Sequence, residues 1–401
     1  MSKPFKRFLV RKLLTIHTHH HYTKTRVLRS VLLIALVMIP LIVSLFFVQG
    51  MIDGISDKYI TLQDGHIQIY SSQLPDTSLI PTVLSSDYVL SSQGVIYSSD
   101  QTAEITIKGI QSSYIGELRA KELHVQTPIF DNQSSSVAEI MLSEVIASTL
   151  GVSIGDRVAL MLLPEGGQLS VRPLLARVTD IYNTGYYELD SHLVFILQSS
   201  LQRMLPSHQQ GHWELLLTSK KEPIIQQVIQ HLEQEAGTSL SWASWDQFNR
   251  SVYENFITSK QVIMVVFFSI LIVAATYIAS ISNALVQDTR SSIAMYTLLG
   301  ADSKTFYSSY MSAMMIITSL GLSTGIGIGI ALSYNIGKLL HLLAQKQIPA
   351  FQYYLLDFSV SFPLRDIILI TLGMIGITAC ALWLSLRKIR TITPLELLHQ
   401  E

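Results

Sequence analysis

Hydrophobic and polar positions fall in long blocks along this chain. Ser30 to Ile52 carries no charge, and neither do the stretches between Lys260 and Asp288, between Lys304 and Lys338, and from Ile367 to Leu386. A hydrocarbon core about 30 Å thick needs roughly 20 apolar residues in a helix, so each block is long enough to cross. The pattern predicts one N-terminal membrane helix and three C-terminal ones, with a large polar block between. The predicted order is a basic cytoplasmic N-terminus (1–28), a helix (29–52), an exported domain (53–259), a helix (260–287), a short cytoplasmic segment (288–304), a helix (305–337), an outer loop (338–366), a helix (367–386) and a cytoplasmic tail (387–401).

Within 53–259 the composition shifts to Ser, Thr, Gln, Asp and Tyr, and no run could span a membrane. The period changes as well. Strict alternation over His66–Tyr70 and Ala103–Lys108 predicts strands, as do the runs Arg157–Leu163 and Ala176–Tyr182. Helices are expected over Ser143–Leu150 and over Glu222–Glu235, where Ile224, Ile225, Val228, Ile229 and Leu232 share a face. Leu150-Gly151 through Gly155-Asp156 reads as a helix stop and a turn into a strand. The Ser-rich stretch from Ser71 to Ser99 is expected to hold loops. An α+β domain fits.

Charge then sets the orientation. Lys3, Lys6, Arg7, Arg11, Lys12, Lys24, Arg26 and Arg29 precede the first apolar block, and no acidic residue appears before Asp53. The block is too long for a signal peptide and no cleavage site follows it. Basic flanks stay on the cytoplasmic side, which predicts both termini inside; Arg387, Lys388 and Arg390 after the last block agree. Pro40 is expected to kink the first helix. Phe5, Phe8, Leu9, Leu13 and Ile16 share a helical face, which suits a helix lying on the inner membrane surface.

Only 14% of the 401 residues are charged, against about 25% in soluble domains. The net charge of −1 gives no sign of a nucleic-acid partner, and none is expected. The single cysteine, Cys380, excludes an internal disulfide and reads as a small packed side chain. His17, His19, His20 and His21 cluster, but no Cys, Asp or Glu nearby completes a metal-ligand set, so they read as a polar connector. The chain contains no P-loop, nucleophile elbow or zinc-protease motif. Glu188 and Asp190 read as part of a solvated loop, and no catalytic residue is expected.

Two features of the C-terminal half stand out. Gly321, Gly325 and Gly329 recur every four residues, which lets helices approach closely in lipid; the partner could lie in the same chain or across a dimer. Between the second and third blocks sits a compact amphipathic segment containing Leu298-Leu299-Gly300-Ala301, a handle on which something outside the membrane could push.

With one helix, a large domain and then three helices, the chain resembles the permease subunits of ABC transporters related to MacB, FtsX and the lipoprotein-releasing LolC/LolE proteins. Arg290-Ser-Ser-Ile-Ala-Met-Tyr-Thr-Leu-Leu-Gly300-Ala301 resembles that family's segment after the second helix, and Thr393-Pro394-Leu395-Glu396-Leu397-Leu398 its tail. Asp64-Gly65-His66-Ile67-Gln68-Ile69, Leu142-Ser143-Glu144 through Gly155-Asp156, Thr184-Gly185-Tyr186-Tyr187-Glu188-Leu189-Asp190 and Trp245 are similar to the lipoprotein-releasing branch. Pro40 and bulky neighbours replace the glycines frequent in the first helix, and Ser291-Ser292 stand where an acidic residue often precedes the Ile.

The resemblance implies a multi-pass subunit of a bacterial inner membrane. It would pair with a second permease copy or a paralogue and with two copies of a cytoplasmic ABC ATPase. ATP and magnesium would be bound there, with no cofactor in this chain. Arg290, Ile293, Ala294, Leu298, Leu299, Gly300 and Ala301 would form the ATPase-coupling helix. Lipid from a lipoprotein substrate would enter between the first two helices, past Met38, Leu41, Leu45, Phe46, Met264, Phe267 and Phe268, on its way to a periplasmic acceptor. Two other activities occur in the family: MacB-like mechanical efflux, and FtsX-like regulation of a cell-wall hydrolase.

Overall fold

The computed structural model describes residues 8, 10, 22–99, 101–125, 137–163, 173–205, 210–288, 295, 302–335 and 361–386. The chain divides into two compact units. One comprises Met1–Met51, Phe256–Leu339 and Val360–Glu401; the other comprises Ile52–Asn255 and Leu340–Ser359.

The elements follow in order. Helix α1 (Tyr22–Lys58) runs through Pro40 and passes into a π-helical turn at Tyr59–Asp64. The strand-rich unit continues with β1 (Ile67–Ile69), β2 (Val83–Ser98), β3 (Gln101–Ile110), α2 (Glu117–Glu122), β4 (Ala138–Ser143), α3 (Glu144–Leu150), β5 (Arg157–Leu163), β6 (Leu174–Tyr182), α4 (Tyr187–His192), β7 (Leu193–Leu197), α5 (Gln198–Gln202), β8 (His212–Leu217), α6 (Glu222–Ala236), β9 (Trp242–Ser244) and α7 (Trp245–Phe248). Three long helices complete the chain: α8 (Arg250–Asp288), α9 (Ser303–Tyr334) and α10 (Leu364–Leu386).

In the strand-rich unit the pairings β2–β3, β3–β7, β7–β4, β4–β6, β6–β5 and β5–β2 close on themselves, so six strands make a ring. Gln93–Tyr97 of β2 pair with β3 on one side and β5 on the other. Ile96, Ile105, Ile107, Ile140, Leu142, Leu160, Val178 and Ile196 belong to its core. Gly94 lies where β5 comes closest: a Cβ there would sit 2.5 Å from the Met161 carbonyl oxygen. The first half of β2, Val83–Val89, leaves the ring and pairs with β8, extending a second sheet in the order β2-β8-β1-β9. Helix α6 covers this sheet with Ile225, Val228, Ile229 and Leu232 against Ile67, Ile69, Leu215 and Leu217. Pro223 in its first turn and left-handed Gly237 at its end fix its limits. Ser143 caps α3 by accepting from the Ile146 N–H, and left-handed Gly151 ends it.

The Ser71–Ser99 region differs from expectation, because Val83–Ser98 is the longest strand among the described residues. Its serines mask a real alternation: Val89, Leu90 and Ile96 are buried while Ser91 and Gln93 are exposed.

In the helical unit, four helices are long and apolar enough to cross a membrane: Leu28–Asp64, Arg250–Ala284, Lys304–Tyr334 and Leu364–Leu386. Their packed core joins Ile34, Met38 and Ile42 of α1 with Leu271 and Ile278 of α8, Tyr310 and Ile317 of α9, and Ile370 and Met374 of α10. Cys380, expected to be packed, is exposed on α10. It sits on a face without a protein neighbour, as apolar side chains of a membrane helix can where lipid is the solvent.

Candidate functional site

Two parallel helix pairings, α1 with α9 and α8 with α10, run through the helical unit, and α9 also packs against α10. On α9, a Cβ at Gly321 would lie 2.7 Å from Ile34 Cβ, one at Gly325 2.7 Å from Met38 Cβ, and one at Gly329 2.8 Å from Ile42 Cβ. The glycine row therefore faces α1 of the same chain. Removing three Cβ atoms is what allows β-branched Ile34 and Ile42 to reach the α9 backbone. Gly327, off this row, meets nothing within 4 Å.

The second set is α8 with α10. Lys260 Nζ pairs with Asp366 Oδ2 at 2.7 Å and donates to Gln49 Oε1 of α1 at 2.9 Å. Midway, a Cβ at Gly373 would meet the Phe268 ring at 2.9 Å. Further along, Ser385 Oγ donates to Asn283 Oδ1 at 2.7 Å. The two helices are thus tied along their length, and Lys260 tethers both to α1.

Met38, Leu41, Leu45, Phe46 and Phe267 are buried in the helix core, with Met264 and Phe268 packed against it. Met38 backs onto Gly325, and Phe46 stacks edge-on against Phe362 with its centroid 5.4 Å away. Arg290, Ile293, Ala294, Leu298, Leu299, Gly300 and Ala301 lie outside the described residues, as do His17, His19, His20 and His21. Within that segment Met295 is described, and it is 59% exposed. Asp302 caps α9 by accepting from the Lys304 N–H.

In the strand-rich unit, a polar cluster that sequence reasoning missed surrounds the π turn. A helix end leaves carbonyls without intrahelical partners. Here buried cations take them. Lys108 Nζ donates to Leu62 O at 2.9 Å and Gln63 O at 2.6 Å, and Arg119 Nε to Thr61 O at 3.0 Å. Cations at a helix C-terminus also meet the negative end of its dipole. Their counter-charges are close: Glu214 Oε2 lies 2.8 Å from Lys108, and Asp87 Oδ2 2.8 Å from Arg119. The Arg119 guanidinium stacks 3.6 Å from the Tyr114 ring centroid, and the Tyr114 hydroxyl lies 2.5 Å from Lys108 Nζ. Burial pushes the Lys108 ammonium down. Burial also pushes the Glu214 carboxyl up, but Lys108 and His212 more than offset this and hold it below its usual range.

One turn earlier, Lys58 donates to the Thr184 carbonyl. The Thr184 N–H donates to Asp190 Oδ1 at 3.1 Å. Asp190 is thus no part of a solvated loop: it sits in α4, 1% exposed, with burial raising its carboxyl. Only Glu188 of that pair keeps a surface role, accepting from the Tyr186 hydroxyl at 2.9 Å.

Asp64, the last residue of the π turn, accepts from Asn249 Nδ2 at 2.6 Å and Gln68 Nε2 at 3.3 Å. It opens onto a cavity of about 430 Å³ whose lining includes Ser92, Lys108, His212, Phe248 and Asn249. Burial pushes the Asp64 carboxyl up to about 6 against the pull of Asn249, Lys108 and His212, with Glu214 adding to the rise. The sequence did carry one signal: Lys108 and Glu214 are charged residues inside runs otherwise set up as strands.

Residues 264–394 match the family model described as FtsX-like permease C-terminal. Over this C-terminal third the chain is similar to ABC-transporter permeases of the FtsX type. The chain is 22% identical over 269 residues to proteins called lipoprotein-releasing system transmembrane protein LolC from Xylella fastidiosa, strains Temecula1 and 9a5c. Each alignment covers 65% of this chain and 65% of the relative, so the chain spans just under two thirds of the length of the curated relatives it matches. Among solved structures, the extracellular domain of the noncanonic ABC-type transporter YknZ from Gram-positive bacteria covers 41% of this chain and 83% of that domain, at 15% identity and TM-score 0.26. The periplasmic region of MacB from Actinobacillus actinomycetemcomitans covers 46% and 91%, at 12% identity and TM-score 0.28.

Proposed function

We propose that this permease is the membrane-spanning subunit of an ATP-driven transporter that releases lipid-anchored proteins from the bacterial inner membrane, with both termini in the cytoplasm. The observation that carries the reading is the alignment with the two LolC proteins. At 269 residues it is longer than the region matched by the permease model, so the likeness reaches beyond the part common to the wider family.

Energetics explain the need for a motor. Burying an acyl chain is worth about 0.8 kcal/mol per CH₂, so exposing two or three long chains costs tens of kcal/mol. In the proposed cycle two permeases bind two ATPase subunits, and residues 288–304 of each permease dock on one of them. Leu298 and Leu299 supply apolar contact and Arg290 a charged rim. ATP-driven closure displaces this segment together with α8 and α9. Lipid enters between α1 and α8, past Met38, Leu41, Leu45 and Phe46 of one helix and Met264, Phe267 and Phe268 of the other, whose Met and Phe side chains suit an adaptable apolar lining. Opening that path requires the Lys260–Gln49 tether to part.

The test is purification of the tagged chain in mild detergent with mass spectrometry of its companions, followed by release assays in proteoliposomes. An ATPase with a P-loop, acylated lipoproteins in the preparation, and ATP-dependent release are expected. An ATPase accompanied by a periplasmic adaptor or a wall hydrolase, without lipoprotein release, would overturn the reading.

A further inference from the structure

We propose that the cavity beside Asp64 is a binding site for a small organic ammonium compound, held between the Asp64 carboxylate and the Phe248 ring. Its volume of about 430 Å³ lies in the range of ligand pockets, about 300–1,000 Å³. The charges around it do not cancel. From β3, Lys108 faces the cavity, but its ammonium is turned into the wall, where Leu62 O, Gln63 O, Tyr114 and Glu214 accept from it. From β8, Glu214 balances Lys108, and His212 Nε2 lies 3.3 Å from the other Glu214 oxygen. The π turn contributes Asp64, β1 contributes Gln68, and the stretch after α7 contributes Asn249; the two amides donate to Asp64 without neutralising it. Among the described residues, the Asp64 carboxylate has no ion-pair partner of its own.

Phe248 supplies the second half of the site. It lines the same cavity, its ring backed by Tyr70 with centroids 6.2 Å apart. A carboxylate and an aromatic ring lining one cavity can together recognise an ammonium group. Ser92 and Gln93, which also line the cavity, offer neutral polar groups to the rest of the molecule. Asn249, which shares Asp64, immediately precedes α8, so occupancy bears on the start of that helix.

Calorimetric titration of the full chain, in a detergent without amine groups, tests this with putrescine as probe and 1,4-butanediol as its uncharged counterpart. Saturable putrescine binding at pH 7.5 is expected, with no binding of the diol. Asp64→Asn, which keeps the shape of the side chain, should weaken binding at least tenfold. Phe248→Leu should weaken it several-fold, and Asp76→Asn at an exposed site should leave it unchanged. Lowering the pH to 5 should weaken binding roughly tenfold as Asp64 takes up its proton. No binding by the unmodified chain, equal binding by Asp64→Asn, or equal binding of the diol would each overturn the proposal. The assay involves no ATPase or lipoprotein, so its failure leaves the transport reading standing.

Discussion

Asn249 donates a 2.6 Å hydrogen bond to Asp64, joining the residue ahead of α8 to the residue that ends the π turn after α1. The carboxyl holds its proton up to about pH 6 because it is buried. Its unfolded value is near 3.8. Between these values the folded chain binds a proton that the unfolded chain releases. The contribution of Asp64 to stability is therefore full below about pH 4 and lost as pH rises through 6. Asp64→Asn removes that loss and still accepts from Asn249. We expect it to stabilise the strand-rich domain at pH 7.5 by on the order of 2–3 kcal/mol, and to flatten the melting temperature between pH 4 and 7. Thermal melts across that range check both.

Lys108 and Glu214 form an ion pair at 2.8 Å in which neither side chain exceeds 1% exposure. Removing one partner leaves a buried charge uncompensated, at a cost of about 3–5 kcal/mol. Lys108→Met should be severely destabilising, since Leu62 O and Gln63 O also lose their donor. Lys108→Met with Glu214→Leu should recover part of the loss, as read by melting temperature and expression level.

The glycine row on α9 separates two kinds of position. A Cβ at Gly325 would sit 2.7 Å from Met38 Cβ and 3.0 Å from the Ala35 backbone, which cannot turn away. Gly325→Ala should cost about 1–3 kcal/mol through overpacking, and Gly325→Leu should disrupt the α1–α9 pair. Gly327→Ala, in open space, should be neutral. Melting in detergent distinguishes them.

Leu299→Asp places a charge where the proposed coupling segment offers its apolar contact. The variant should fold and insert normally yet lose ATPase stimulation and partner binding. Normal ATPase binding and activity in that variant would remove the coupling role from Leu299.

Much of this architecture is legible in the sequence because each signal is local. Ser30–Ile52 and its three counterparts needed only length and absence of charge. Helix α3 announced itself through Ser143 at its start and Gly151 at its end, and α6 through a five-residue apolar face. The site was another matter. Ser91 and Ser92 hid the long strand β2, because polar side chains on a strand that serves two sheets look like loop composition. Asp190 looked solvated because its neighbours in sequence are polar; in the fold the Thr184 N–H six residues earlier donates to its carboxylate, and the Ser143 hydroxyl, 47 positions away, donates to its carbonyl.

The sequence by itself determined the number of membrane-spanning helices and the α+β character of the domain between the first two. These rest on hydropathy and on residues a few positions apart. The tertiary structure decided which helix the Gly321–Gly325–Gly329 row meets, how β2 is shared between a closed ring and a second sheet, and that Lys108, Glu214, Asp64 and Asn249 converge on one turn. Those relationships link residues far apart along the chain: Asp64 and Asn249 are 185 positions apart, and Gly321 meets Ile34 from still further away. No local pattern encodes such a pairing, because a charged side chain in a strand is written identically whether it faces water or a buried partner.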